Sequence, residues 1–195
     1  MSGEYQTLMR LVGLSVRDPS EAARQLTARQ FERSTLWMAL LLVSILSVLL
    51  LALSNLLFPV AMPEGVVPMT PLTYGIVVAA SLVMMVFALH WTGRMMGGKG
   101  AFDQTMVIVI WLQVVALFVQ LAQIVAMAIL PALSGLVSLA GVFVLLWCLI
   151  NFINVVQGFD SLVKSAVTFF VGLIGIGFGL AIILMMIGVT VQAGI

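Results

Sequence analysis

All eight Lys and Arg residues of this 195-residue chain fall in segments that can share one side of a membrane. Arg10, Arg17, Arg24, Arg29 and Arg33 precede the first long apolar run. Arg94 and Lys99 lie between the second and third runs, and Lys164 lies between the fourth and fifth. Glu64 is the one charge that this arrangement leaves on the other side. Lys and Arg close to hydrophobic segments are retained in the cytoplasm, so the pattern predicts a cytoplasmic N-terminus and cytoplasmic loops over 92–103 and 157–164. It also requires an odd number of crossings, which puts the C-terminus outside.

The apolar runs have the lengths that such a topology needs. A helix rises about 1.5 Å per residue, so a hydrocarbon core about 30 Å thick takes about 20 apolar residues. Residues 36–58 and 72–91 each supply one charge-free stretch of that length. Residues 104–159 also carry no charge and are more than twice as long as one span, so the chain must turn back inside them. Pro131 and Ser134-Gly135 mark the turn. The expected fold is an all-α polytopic membrane protein with five transmembrane helices, at about 36–58, 72–91, 104–130, 133–156 and 165–189. A cytoplasmic amphipathic and linker segment, 1–34, precedes the membrane domain, 35–195. Charged residues are 8% of the chain and hydrophobic residues 63%, whereas soluble domains are about a quarter charged; this excludes a water-soluble globule. No cleavable signal is expected, because the first run exceeds the about 7–15 residues of a signal h-region. The 59–71 loop, with Pro59, Pro63, Pro68 and Pro71, is expected to be extended or turn-rich.

The N-terminal segment has a pattern of its own. Tyr5, Leu8, Leu11, Val12 and Ser15 fall near helical spacing and predict a short helix on the membrane surface. Asp18-Pro19-Ser20-Glu21 reads as the start of a second helix, with Asp as N-cap, Pro in the first position and Glu in the first turn. Arg side chains along this segment can meet anionic headgroups, at on the order of 1 kcal/mol each.

A short repeat organises the remaining loops. Gly100-Ala101-Phe102-Asp103-Gln104 resembles Gln157-Gly158-Phe159-Asp160-Ser161 at an offset of 57 residues, which predicts two helical hairpins of the same orientation. Asp103 and Asp160 would then open their spans as helix caps, with Lys164 placed to pair with Asp160. The basic, glycine-rich stretch from Arg94 to Gly100 lacks the Gly-Lys-Ser/Thr of a phosphate loop and follows no strand. The stretch is expected to form a flexible turn at the headgroup level, and a looser reading makes Arg94 and Lys99 contacts for anionic lipid headgroups; Arg94, Lys99, Asp103, Asp160 and Lys164 are candidates for the cytoplasmic rim.

No Asp, Glu, Lys or Arg stands inside a proposed span, which argues against an ion-coupled transporter. Gln113, Gln120 and Gln123 in the third span, Asn55 in the first, and Asn151 and Asn154 in the fourth can join helices by hydrogen bonds. The glutamines could instead line a small channel. In the fifth span Gly172, Gly175, Gly177 and Gly179 predict a face for close helix contact, with weaker small-residue pairs at Gly75/Ala79 and Ser134/Ser138. His90 is the single histidine and is expected as an interfacial or interhelical hydrogen bonder; Cys148 is the single cysteine. Neither can complete a metal site or a disulfide within the chain, and no nucleophile elbow accompanies them. No catalytic residue, metal or cofactor is expected.

These features together resemble the Yip family, named for members that bind Ypt/Rab GTPases, and in particular its short bacterial branch. The resemblance rests on Asp18-Pro19-Ser20-Glu21-Ala22-Ala23, on five spans with the N-terminus inside, on Gly98-Lys99-Gly100-Ala101-Phe102 and on Gly158-Phe159. The Asp-Leu-Tyr-Gly-Pro motif of eukaryotic members is missing from this N-terminus, so the resemblance does not extend to Rab binding. It implies a non-enzymatic protein of the bacterial cytoplasmic membrane that organises or accompanies other membrane proteins or lipids through helix contacts. Its partners would be the bilayer, other membrane proteins or a second copy, with no nucleic acid and no soluble substrate. A small channel or transporter lined by the third-span glutamines is the alternative.

Overall fold

Each charge-free run becomes a helix in the computed structural model, which describes residues 2–59 and 70–186. The helices are α1 (Ser2–Arg17), α2 (Pro19–Thr27), α3 (Arg33–Leu57), α4 (Pro71–Met95), α5 (Phe102–Ile129), α6 (Pro131–Gln157) and α7 (Leu162–Met186). Helices α3, α4, α5 and most of α6 are long and apolar enough to cross a membrane. Helix α7 adds a further apolar helix of 25 residues. The proposed proline-rich cap over 60–69 and the end of the fifth span beyond 186 lie outside the described residues.

Local chemistry sets most of the boundaries. The Asp18 carboxylate accepts from Glu21 N at 3.0 Å with Pro19 in the first turn of α2, and Thr70 Oγ1 accepts from Thr73 N at 3.2 Å before Pro71 in α4. In both, a side chain takes an N–H that the first turn leaves free, and proline occupies a position that needs no N–H. The Glu21 carboxyl is held below the ordinary carboxylate range by its hydrogen bonds to Gln25 and then Arg24. Helices α4 and α6 stop in the same way. Gly97 (φ +80) and Gly158 (φ +65) take the left-handed conformation. Gly98 N then reaches back to Gly93 O at 2.8 Å, and Phe159 N to Asn154 O at 3.0 Å, the Schellman arrangement that glycine permits. Pro131 starts α6 with only Leu130 between it and the end of α5, at the turn that the sequence marks.

The core lies where α3, α4, α5 and α6 meet, around Leu40, Val86, Met106, Val109 and Ile153. Helix α5 packs on α6, α3 and α4, and α7 packs on α4 and α6. The N-terminal pair is docked as well as amphipathic. Ala22 and Ala23 of α2 are 0% exposed, pressed against Ile108 of α5 and Cys148 and Phe152 of α6. Helix α1 turns Leu11 and Ser15 inward and leaves Met9 and Val16 outward. The segment expected on the membrane surface thus has a second face, fixed to the bundle.

Candidate functional site

The most tightly constructed place in the molecule is where the α4–α5 loop meets the end of α6. Gln157 is buried there. Its Oε1 accepts from Gly100 N at 3.2 Å, its Nε2 donates to Leu89 O at 3.2 Å, and its carbonyl accepts from Lys99 N at 3.0 Å. A Cβ on Gly93 or Gly98 would overlap the Gln157 amide, and one on Gly100 would meet the Val156 carbonyl. The glycines of this stretch therefore make room for a side chain of the other hairpin. The N–H groups of residues 97 to 100 bond Arg94 O, Gly93 O, Gln157 O and Gln157 Oε1 in turn, so none is left to cradle a phosphate. Gly100 and Gln157 occupy equivalent positions of the 57-residue repeat, and the repeat motifs touch each other directly.

Around this joint the charged rim residues separate into different roles. Arg94 and Lys99 are exposed. Asp103 does not cap α5, whose N-cap position is Ala101 with its N–H held by Gln104 Oε1 at 3.1 Å. Asp103 sits in the first turn and pairs with Arg33 Nε at 3.1 Å. Asp160 is exposed and makes no ion pair among the described residues. Lys164, expected beside it, places its ammonium 4.6 Å from the centre of the Phe159 ring. A cation over an aromatic face and near Gly97 takes the place of the i,i+4 pair.

The intramembrane polar residues act mainly as ties. Gln113 Nε2 donates to Ser47 Oγ at 2.8 Å, and Ser47 in turn donates to Val43 O, joining α5 to α3. Gln120 and Gln123 are half-buried and make no hydrogen bond among the described residues. Asn151 Oδ1 accepts from Ser20 Oγ at 3.0 Å and its Nδ2 donates to Trp147 O, fixing α2 to α6. Asn154, with its amide nitrogen turned toward its acceptors, donates to Phe159 O at 2.7 Å and holds the α6–α7 turn. Trp111 Nε1 donates to Ser15 Oγ at 2.8 Å, and Cys148 Sγ donates to Ser15 O at 3.0 Å. His90, expected as a hydrogen bonder, instead sets its ring edge-on to Phe102 at 5.5 Å, and its buried Nδ1 has no partner among the described residues.

The fifth-span glycines divide. A Cβ on Gly172 would stand 3.3 Å from Thr92 Oγ1 and 3.7 Å from Ala88 Cβ, so this glycine lets α7 approach α4. Gly175 and Gly177 have nothing within 4 Å, and the surroundings of Gly179 lie outside the described residues. A Cβ on Gly75 would stand 3.1 Å from Val48 Cγ2 of α3, whereas one on Gly135 would meet nothing within 4 Å among the described residues.

The contact roles of Gln157, Ser15, Ser20, Ser47 and Trp111 are not announced by the sequence. Gln157 alone carries a usable signal, because it stands opposite a glycine in the repeat. The others are common residue types with distant partners, as the Gln113–Ser47 and Cys148–Ser15 separations of 66 and 133 positions illustrate.

The chain matches the Yip1 domain over residues 13–188, which takes in the α2 start, both repeat motifs and all the long helices. No curated protein and no solved structure matches it. With helices of spanning length matched over nearly the whole chain, the protein is an integral, multi-pass membrane protein and belongs to the Yip1 domain family.

Proposed function

We propose that this protein is a non-enzymatic organiser of the bacterial cytoplasmic membrane, with five spans and the N-terminus inside, that associates with other membrane proteins or with itself through helix faces. The observation that carries this reading is the outer surface of α7. A Cβ on Gly175 or Gly177 would meet nothing within 4 Å among the described residues, and Leu173, Ile174 and Phe178 beside them are exposed. Lipid tails are as apolar as these side chains, so association in a bilayer depends on close packing, which glycine permits. Gly172 against Thr92 and Ala88 is an example of such an approach on the same helix. The channel alternative has less support, since Gln113 is engaged between α3 and α5.

Purification in mild detergent after cross-linking in the membrane tests the reading. Gly175→Leu is expected to remove a stoichiometric partner or dimer while the protein still elutes as a folded species. Complexes that survive the substitution unchanged would sink the proposal. A reporter fused to the C-terminus is expected to read outside.

A further inference from the structure

Where the segment after α2 turns into α3, it leaves a cavity of about 380 Å³ against the first turns of α5, a size within the range of about 300–1,000 Å³ usual for ligand sites. Its walls are of two kinds. Leu36 and Val107, both buried, make an apolar floor. Arg29, Gln30, Asp103 and Gln104 supply charge and amides. These polar groups are under-used. Gln104 Oε1 is taken by Ala101 N, but Gln104 Nε2, the Gln30 amide and the Arg29 guanidinium make no hydrogen bond among the described residues. Among the described residues Asp103 has Arg33 alone, in a pair whose side chains are 41% and 76% exposed. Such a pair is weak and gives way readily to a competing cation.

The depth of the cavity narrows the ligand. Helix α3 is charge-free from Ser34 onward and α5 from Gln104 onward, so the cavity stands at the polar end of two adjoining spans, with hydrocarbon-length helix directly beyond. A ligand there needs an anion for Arg29, a cation with N–H groups for Asp103 and Gln104, and apolar chains to follow Leu36 and Val107. We infer that this cavity binds the headgroup of an aminophospholipid, its phosphate at Arg29 and its primary ammonium at Asp103. A quaternary ammonium has no N–H to donate to the carboxylate, and a purely anionic headgroup would meet the Asp103 charge.

The test uses the full chain in mild detergent, with native mass spectrometry after addition of phosphatidylethanolamine, phosphatidylcholine or phosphatidylglycerol carrying the same acyl chains. Phosphatidylethanolamine is expected to be retained about tenfold better than either of the others, the worth of one charge-assisted hydrogen bond. Asp103→Asn should remove that preference, Arg29→Gln should lower retention of all three, and Asp160→Asn, the same charge change outside the cavity, should change nothing. Arg33→Gln frees Asp103 from its competitor and is expected to raise phosphatidylethanolamine retention, a gain that misfolding cannot imitate. Equal retention of the three lipids, a lead for phosphatidylglycerol, or indifference to Asp103→Asn would overturn the assignment. Displacement by soluble glycerophosphoethanolamine would overturn a lipid as its source. The readout is lipid retention and not complex formation, so it stands or falls apart from the α7 face.

Discussion

The two copies of the repeat begin with nearly the same residues and end in different surroundings. In the first copy Phe102 packs against Phe87 and His90, Asp103 pairs with Arg33 and lines a polar cavity, and Gly100 gives its N–H to the other hairpin. In the second copy Phe159 is buried under the Lys164 ammonium, Asp160 points to solvent without an ion pair among the described residues, and Gln157 is the acceptor. The difference follows from α3. That helix packs on α5 and brings Arg33 to Asp103, while α7 packs on α4 and α6 and has no equivalent neighbour. A repeat supplies the same turn twice, and an unrepeated helix then decides which copy acquires a binding-type environment.

The largest expected effect comes from the joint between the copies. Gly100→Ala would push a Cβ against the Val156 carbonyl, and overpacking of this kind costs about 1–3 kcal/mol. Gln157→Leu leaves Gly100 N without its partner in a buried place, a penalty of about 1–3 kcal/mol. Both should lower the midpoint of unfolding in mixed detergent, and a midpoint equal to that of the parent would mean that the hairpins do not depend on this contact. Next in size is the docking of α2, which exists on one side only. Ala23→Trp cannot fit the fully buried site beside Phe152 and should release the N-terminal pair. Cys148, which donates to Ser15 O beneath that pair, is then expected to react with a membrane-permeant thiol reagent much faster than in the parent.

Smaller effects sharpen the contrast between the two aspartates. Asp103→Asn is expected to cost no more than about 1 kcal/mol, the scale of an exposed pair. Asp160→Asn, with no ion pair among the described residues to lose, should leave the unfolding midpoint unmoved; a larger loss at Asp160 would reverse the comparison. The smallest effect is that of pH at α2. The Glu21 carboxyl is depressed by Gln25 and Arg24, so its contribution is present above the ordinary glutamate range and is lost as pH falls through the folded value. Protection of the N-terminal pair from protease should weaken on such acidification and be insensitive to pH in Glu21→Gln.

Much of the fold is legible in the amino-acid sequence. Charge-free length marks the long helices because the cost of burying charge in hydrocarbon is local to each residue. Asp18-Pro19 and Pro131 announce helix starts because capping and ring geometry act within one turn. The rim is only partly legible. Asp103 and Asp160 look alike as caps, and Lys164 looks like the natural partner of Asp160, because reasoning along one helix sees i,i+4 neighbours and not the Phe159 ring or Arg33 of another helix. The glycine-rich loop is separable from phosphate binding by its spacing, yet the side chain for which its glycines make room is invisible there.

What the sequence by itself determined is therefore the set of long apolar helices, the repeat, and the membership of a membrane family, since hydrophobic length and turn chemistry are properties of neighbouring residues. Only the tertiary structure decided that Gln157 closes on Gly100, that Ser15 and Ser20 bind α1 and α2 to Trp111 and Asn151, that Gly172 is spent within the chain while Gly175 is not, and that Arg29 and Asp103 share a cavity. Those outcomes depend on which helix faces meet. Faces meet according to the packing of the whole bundle, where groups far apart along the chain compete for the same few neighbours.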